Sequence, residues 1–95
     1  MKFEWHEAKS RMNRRKHGVS FEAARQVFDD PFALMQLDTT EGGEERWRAI
    51  GRAGIDRVLV VAHAVRLRGS EEVIRIISAR RALKHERQHY EDQAQ

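Results

Sequence analysis

Two arginines bracket the most chemically suggestive stretch of the chain. In IRIISARRALKHERQHY, which runs from Ile74 to Tyr90, Arg75 stands between Ile74 and Ile76, and Arg80 follows five residues later. A guanidinium keeps its charge and must find a partner. An arginine inside an apolar run therefore snorkels to water, pairs with a carboxylate on the next strand, or holds an anion. Arg80 falls at the expected start of the last helix, where free backbone amides also favour negative charge. Both guanidiniums gathered at one concave spot would grip a phosphate, because the planar fork meets two phosphate oxygens at once.

Other groups extend this chemistry. In VVAHAVRLRG, His63 shares the odd face of its strand with Leu59, Val61 and Val65, the usual setting of a hydrogen-bonded core histidine and also a place for an acid or base. Arg66 and Arg68 end that strand at its rim, either as solubility charges or as a grip on a single strand of nucleic acid. The opening run HEAKSRMNRRKHGVS sets Lys9, Arg11, Arg14, Arg15, Lys16 and His17 on two or three helical turns, where cations near the C-terminal end also simply complement the helix dipole. Glu45 beside Arg46, and Glu86 beside Arg87, are each a candidate general base or half of an ion pair. His85 and His89 are the only histidines at ligand-like spacing and lack a third partner, so the sequence calls for no metal and no cofactor.

Composition bounds the class. The 95 residues hold 18 Lys and Arg against 15 Asp and Glu, a net charge of only +3. The charges are segregated: the N-terminal block and the block from Arg75 to Tyr90 are basic, while the middle carries Asp29, Asp30, Asp38, Glu41, Glu44 and Glu45. Such a chain can hold a polyanion locally without being basic overall. Cysteine is absent, which excludes disulfides, thiolate metal sites and a cysteine nucleophile and suits a reducing cytoplasm. Charges fall too early for a signal peptide, and no apolar run approaches the ~20 residues of a membrane helix.

The positioning elements follow from periodicity. Met1 to Trp5 alternates like a short strand, and a helix is expected from about Glu7 to His17, closed by Gly18. Ser20 is placed to cap a second helix, Phe21 to about Phe28, which the Asp29-Asp30-Pro31 sequence ends. Strands are expected at Phe32–Leu37, Arg46–Arg52, Arg57–Arg66 and Val73–Ser78, the first two joined by a turn at Gly42-Gly43. A last helix is expected from about Ala79 to Asp92. The sum is one α+β domain over residues 1–95: two N-terminal helices, a four-stranded antiparallel sheet and a C-terminal helix.

The segments FEWHEAKSRMNRRKHGVSFEAARQVFDDP, ERWRAIGR, RVLVVAHAVR and IRIISARRALKHERQHY resemble, in order and over nearly the whole chain, the BrnT family, the toxins of BrnT/BrnA type II toxin–antitoxin modules. His6 departs from the aspartate expected after the tryptophan. The resemblance implies a RelE-like fold and an endoribonuclease that cleaves RNA and inhibits translation. It also implies a BrnA-type antitoxin with a ribbon-helix-helix part, and a complex that binds operator DNA through the antitoxin and represses its own operon. The other reading is a non-catalytic module that binds nucleic acid or antitoxin.

RNA brings its own nucleophile, the 2′-OH. The protein must help remove that proton, stabilise the phosphorane and protonate the leaving oxygen. Arg75 and Arg80 are the candidates for the phosphorane, where a fixed donor is worth on the order of 3–4 kcal/mol by analogy with oxyanion sites. His63, His17, Glu86 and Tyr90 are the acid–base candidates. Lys9, Lys16, Arg66, Arg68, Lys84 and Arg87 are the expected nucleic-acid contacts, and the antitoxin is expected to cover the same basic cleft.

Overall fold

The computed structural model describes residues 1–42 and 44–94; Gly43, half of the expected turn tip, lies outside them. Strand β1 is Lys2–Glu4, helix α1 Glu7–His17 and helix α2 Phe21–Arg25, which tightens into a 3₁₀ turn over Gln26–Asp29. Strands β2 (Leu34–Glu41), β3 (Glu44–Ala53), β4 (Arg57–Arg68) and β5 (Glu71–Arg81) follow, then helix α3 (Lys84–Gln93). The sheet order is β1-β5-β4-β3-β2. β2 to β5 form the expected antiparallel meander, and β1 adds a fifth strand, parallel to β5 with Phe3 opposite Ile74. The expectation of a four-stranded antiparallel sheet is thus corrected. A three-residue strand has too little local signal to stand alone; it is held by Phe3 edge-on to Phe28 and by Glu4 bonded to Arg66.

Local chemistry explains the helices. Gly18 closes α1 at φ 74°, where its N–H reaches the carbonyl of Arg14. The Ser20 hydroxyl accepts from the Ala23 N–H and caps α2. Buried Asn13 locks α1 to the sheet: its amide donates to Val19 O at 2.7 Å and to Ala79 O at 2.8 Å, and its carbonyl accepts from the Ala79 N–H at 3.3 Å.

The last helix starts five residues later than expected. Ala79, Arg80 and Arg81 stay in the β5 ladder opposite Val61, Val60 and Leu59, so Arg80 is a strand residue and not a helix N-terminal one. Sheet pairing and the Asn13 clasp override the helix preference of ARRAL. β5 also carries a bulge: Ser78 faces Ala62 and Ile76 faces His63, which leaves Ile77 unopposed.

The two sheet faces are unlike. On one, the α1–α2 link, α2 and its 3₁₀ turn pack through Val19, Phe21, Ala24 and Val27 against Ala49, Leu59, Val61, Ile76 and Ala79. On the other, Tyr90 of α3 meets Ile50, Val58 and Val60 at one end only. Gly51 permits the close approach of the 3₁₀ turn, since a Cβ there would stand 2.8 Å from Val27 Cγ1.

Candidate active site

Residues paired across neighbouring strands point to the same face. On the face that α3 only partly covers, one row reads Arg46, Ala64, Arg75, Glu4; the next Arg48, Ala62, Ser78; the next Ile50, Val60, Arg80. Arg66, opposite Val73, follows on the outer side. Small residues in the middle strand leave this face shallow, with arginines around it. Arg46 and Arg48 are exposed, and among the described residues no carboxylate pairs with either.

The other arginines are held. Arg75 pairs with Glu44, partly buried. Arg66 and Arg68 share Glu4 at 2.6 and 3.2 Å, and the Arg66 hydrogen bond is the main reason the Glu4 carboxyl titrates below its usual range. Arg80 meets Glu86 with both arms, at 2.7 and 2.9 Å, and the Leu83 N–H adds a third bond at 2.8 Å. That contact with Arg80 pulls Glu86 down to about 2, against the cost of its burial.

The concave feature lies where β1 ends and the chain crosses to α1. A cavity of about 340 Å³ is lined by Trp5, His6, Lys9, Arg46, Arg75 and Ile77, among others. Lys9 and Ile77 also line a wider one, about 670 Å³, that reaches Lys16, His17 and Ser78. Trp5, His6 and Arg75 also line a third, about 240 Å³, that reaches Glu4 and Arg66. The three form one groove along the edge of β5 that β1 leaves uncovered, with the bulge residue Ile77 in its floor. Six cations from four elements border it, Lys9, Arg15 and Lys16 of α1, Arg46 of β3, Arg66 of β4 and Arg75 of β5, with His6 and His17 among them. Cations clustered along a groove favour an anionic ligand.

The expected meeting of Arg75 and Arg80 at one concave spot does not occur. Arg80 stands four β4 residues further along, at Val60 against Ala64, roughly 13 Å at ~3.3 Å per residue, and is not among the groove's lining residues. Of the other expected site residues, Lys9, Lys16, His17 and Arg66 join Arg75 at the groove. Arg68 shares Glu4 at the rim. Lys84 and Arg87 lie exposed on α3, where Arg87 pairs with Glu91.

Three expected acid–base groups are occupied by structure. His63 is 2 % exposed, donates from Nδ1 to Val61 O at 3.1 Å and stands edge-on to Phe28; burial lowers its pKa and keeps it neutral. Tyr90 is 2 % exposed, and its hydroxyl donates a hydrogen bond to Asp30 at 2.5 Å. Burial first, then Asp30, raises the Tyr90 pKa. Glu86 is the clamp on Arg80. Sequence reasoning missed His6 and Arg46 as groove residues. For Arg46 a signal existed: Arg46 and Arg48 alternate on one strand face. For His6 none did, because its place depends on the path from β1 into α1.

A profile of the family described as the ribonuclease toxin BrnT of type II toxin–antitoxin systems matches residues 5–86. Among solved structures, the 1.1 Å crystal structure of the Brucella abortus ribonuclease toxin BrnT superposes with a TM-score of 0.59 at 27 % identity, over 88 % of this chain and 99 % of that one. No curated protein matches. The match spans both sides of the groove, from Trp5 to Glu86, and the α+β architecture of a mixed five-stranded sheet with three helices agrees with it. This chain belongs to the BrnT family of ribonuclease toxins of type II toxin–antitoxin systems.

Proposed function

We propose that this chain is a metal-independent endoribonuclease that cleaves RNA in the groove between α1 and the edge of β5 and thereby stops translation in the cytoplasm. The observation that carries this is the convergence of Lys9, Arg46 and Arg75 with His6 in one cavity. Lys9, Arg46 and Arg75 stabilise the phosphorane, so charge compensation comes from side chains. Arg75 enters that role from its pairing with Glu44, which orients the guanidinium and which a phosphate displaces. His6, exposed in the same cavity and of the residue type suited to neutral pH, is the acid–base group at the phosphate, while His17, roughly 16 Å away at the other end of α1, meets the RNA further along the groove. Trp5 offers a stacking surface for a base. Lys16 and Arg66 extend the grip along the strand. His63, Tyr90, Glu86 and Arg80 position the scaffold.

The partner in this reading is a BrnA-type ribbon-helix-helix antitoxin, and operator DNA is met only through it, in a complex that represses its own operon. The test is incubation of the purified chain with a defined RNA, with and without EDTA, followed by end-group analysis. A 2′,3′-cyclic phosphate product formed equally in EDTA is expected. RNA that is shifted on a gel and never cut would replace the enzyme with a binding module.

A further inference from the structure

The sheet carries a second surface that RNA cleavage does not use. On the face that holds α1 and α2, those helices cover the end around Val61 and Ala79 and leave the other end open. There Trp47 pairs across strands with His63, and Val65 with Ile74. With Phe28 and Met35 they line a cavity of about 290 Å³. Around it Met1, Leu37 and Leu67 are 73 %, 53 % and 72 % exposed, which makes an apolar patch of the kind that marks a protein interface. Glu45 and Glu72 stand exposed at the rim, and neither pairs with a cation among the described residues. No lysine or arginine lines the cavity in a chain that has 18 of them. The Trp47 Nε1–H is buried without a hydrogen-bond partner among the described residues, which is uncommon for a native donor.

We propose that the antitoxin docks on this patch and not in the basic groove. The docking segment places an apolar side chain in the cavity and sets a lysine or arginine between Glu45 and Glu72. The inference rests on the toxin–antitoxin reading above. Charge complementarity selects the partner: the carboxylate rim repels RNA and draws a basic, amphipathic peptide. Toxin chemistry and toxin recognition then lie on separate surfaces, the edge of β5 and the open end of the helix-bearing face, with Glu45 and Arg46 as adjacent residues turned to the two sides of the sheet.

Calorimetric titration of the whole chain with full-length BrnA-type antitoxin tests this. Glu45→Lys with Glu72→Lys should weaken binding by about 10-fold or more and leave RNA cleavage unchanged, while Glu45→Gln with Glu72→Gln weakens it less. Lys9→Ala and Arg75→Ala should leave antitoxin affinity within about 2-fold of the parent. Circular dichroism checks that each variant folds; if the Lys variants do not, the Gln pair carries the test. Unchanged affinity in the Glu variants, or loss confined to Lys9→Ala and Arg75→Ala, overturns the proposal. So does sedimentation showing that the chain alone dimerises through this patch. Binding needs no turnover, so a chain that binds antitoxin here and cuts no RNA removes the ribonuclease reading and leaves the docking surface standing.

Discussion

Arg75 and Arg80 project from the same face of the sheet although they stand five positions apart, because Ile77 is an unopposed bulge residue between them. In a regular strand an odd spacing puts two side chains on opposite faces. The bulge re-aims the second half of β5. It also sends the two arginines to different work: Arg75 faces the groove with Lys9 and Arg46, and Arg80 clamps α3 through Glu86.

That division separates two substitutions that look alike in sequence. Arg75→Ala is expected to cut the RNA cleavage rate by about 10²–10³-fold, the loss typical of a removed transition-state donor, with a small effect on the melting temperature. Arg80→Ala is expected to lower the melting temperature and spare the chemical step. Single-turnover cleavage beside thermal melts reads both, and equal loss of rate in the two would contradict the assignment.

The Glu86 clamp makes stability depend on acid pH. Its carboxyl titrates at about 2 in the folded chain against an ordinary 4.5, so its contribution is present above 4.5 and is lost as pH falls towards 2. Arg80 is about a third exposed, so water screens the pair and the contribution is about 1–2 kcal/mol. Denaturant melts between pH 6 and 2.5 should show this decline, and Glu86→Gln should flatten it.

Tyr90→Phe removes the hydroxyl that Asp30 accepts. Asp30 also accepts from the Arg52 and Phe32 N–H groups, so its carboxylate stays bonded and the cost is about 1–2 kcal/mol. Cleavage of RNA at saturating substrate should be unchanged. A collapse of the rate without loss of stability would return Tyr90 to the chemistry.

Asn13→Ala removes the clasp between α1 and β5 and leaves the Val19 and Ala79 groups without their partner. A loss of about 2–4 kcal/mol is expected by urea unfolding. Because α1 carries Lys9, Lys16 and His17, cleavage should fall as well, through a raised KM for RNA. Asn13→Ala with parental stability would show the clasp to be idle.

Sequence alone determined the identities and local grammar of this protein. Gly18 and Ser20 placed the helix ends, alternation placed β3, β4 and the start of β5, and the composition showed the charges segregated into basic and acidic blocks, because each of these signals is local. Only the tertiary structure decided which charges share a surface. β1 joins the sheet through contacts with Phe28 and Arg66 far away in the chain, and β5 runs past its expected end because Asn13 and β4 hold it. One extra residue in a ladder then reverses the facing of everything beyond it. The physical reason is that a side chain's direction depends on pairing register, and register is set by partners that lie tens of residues away.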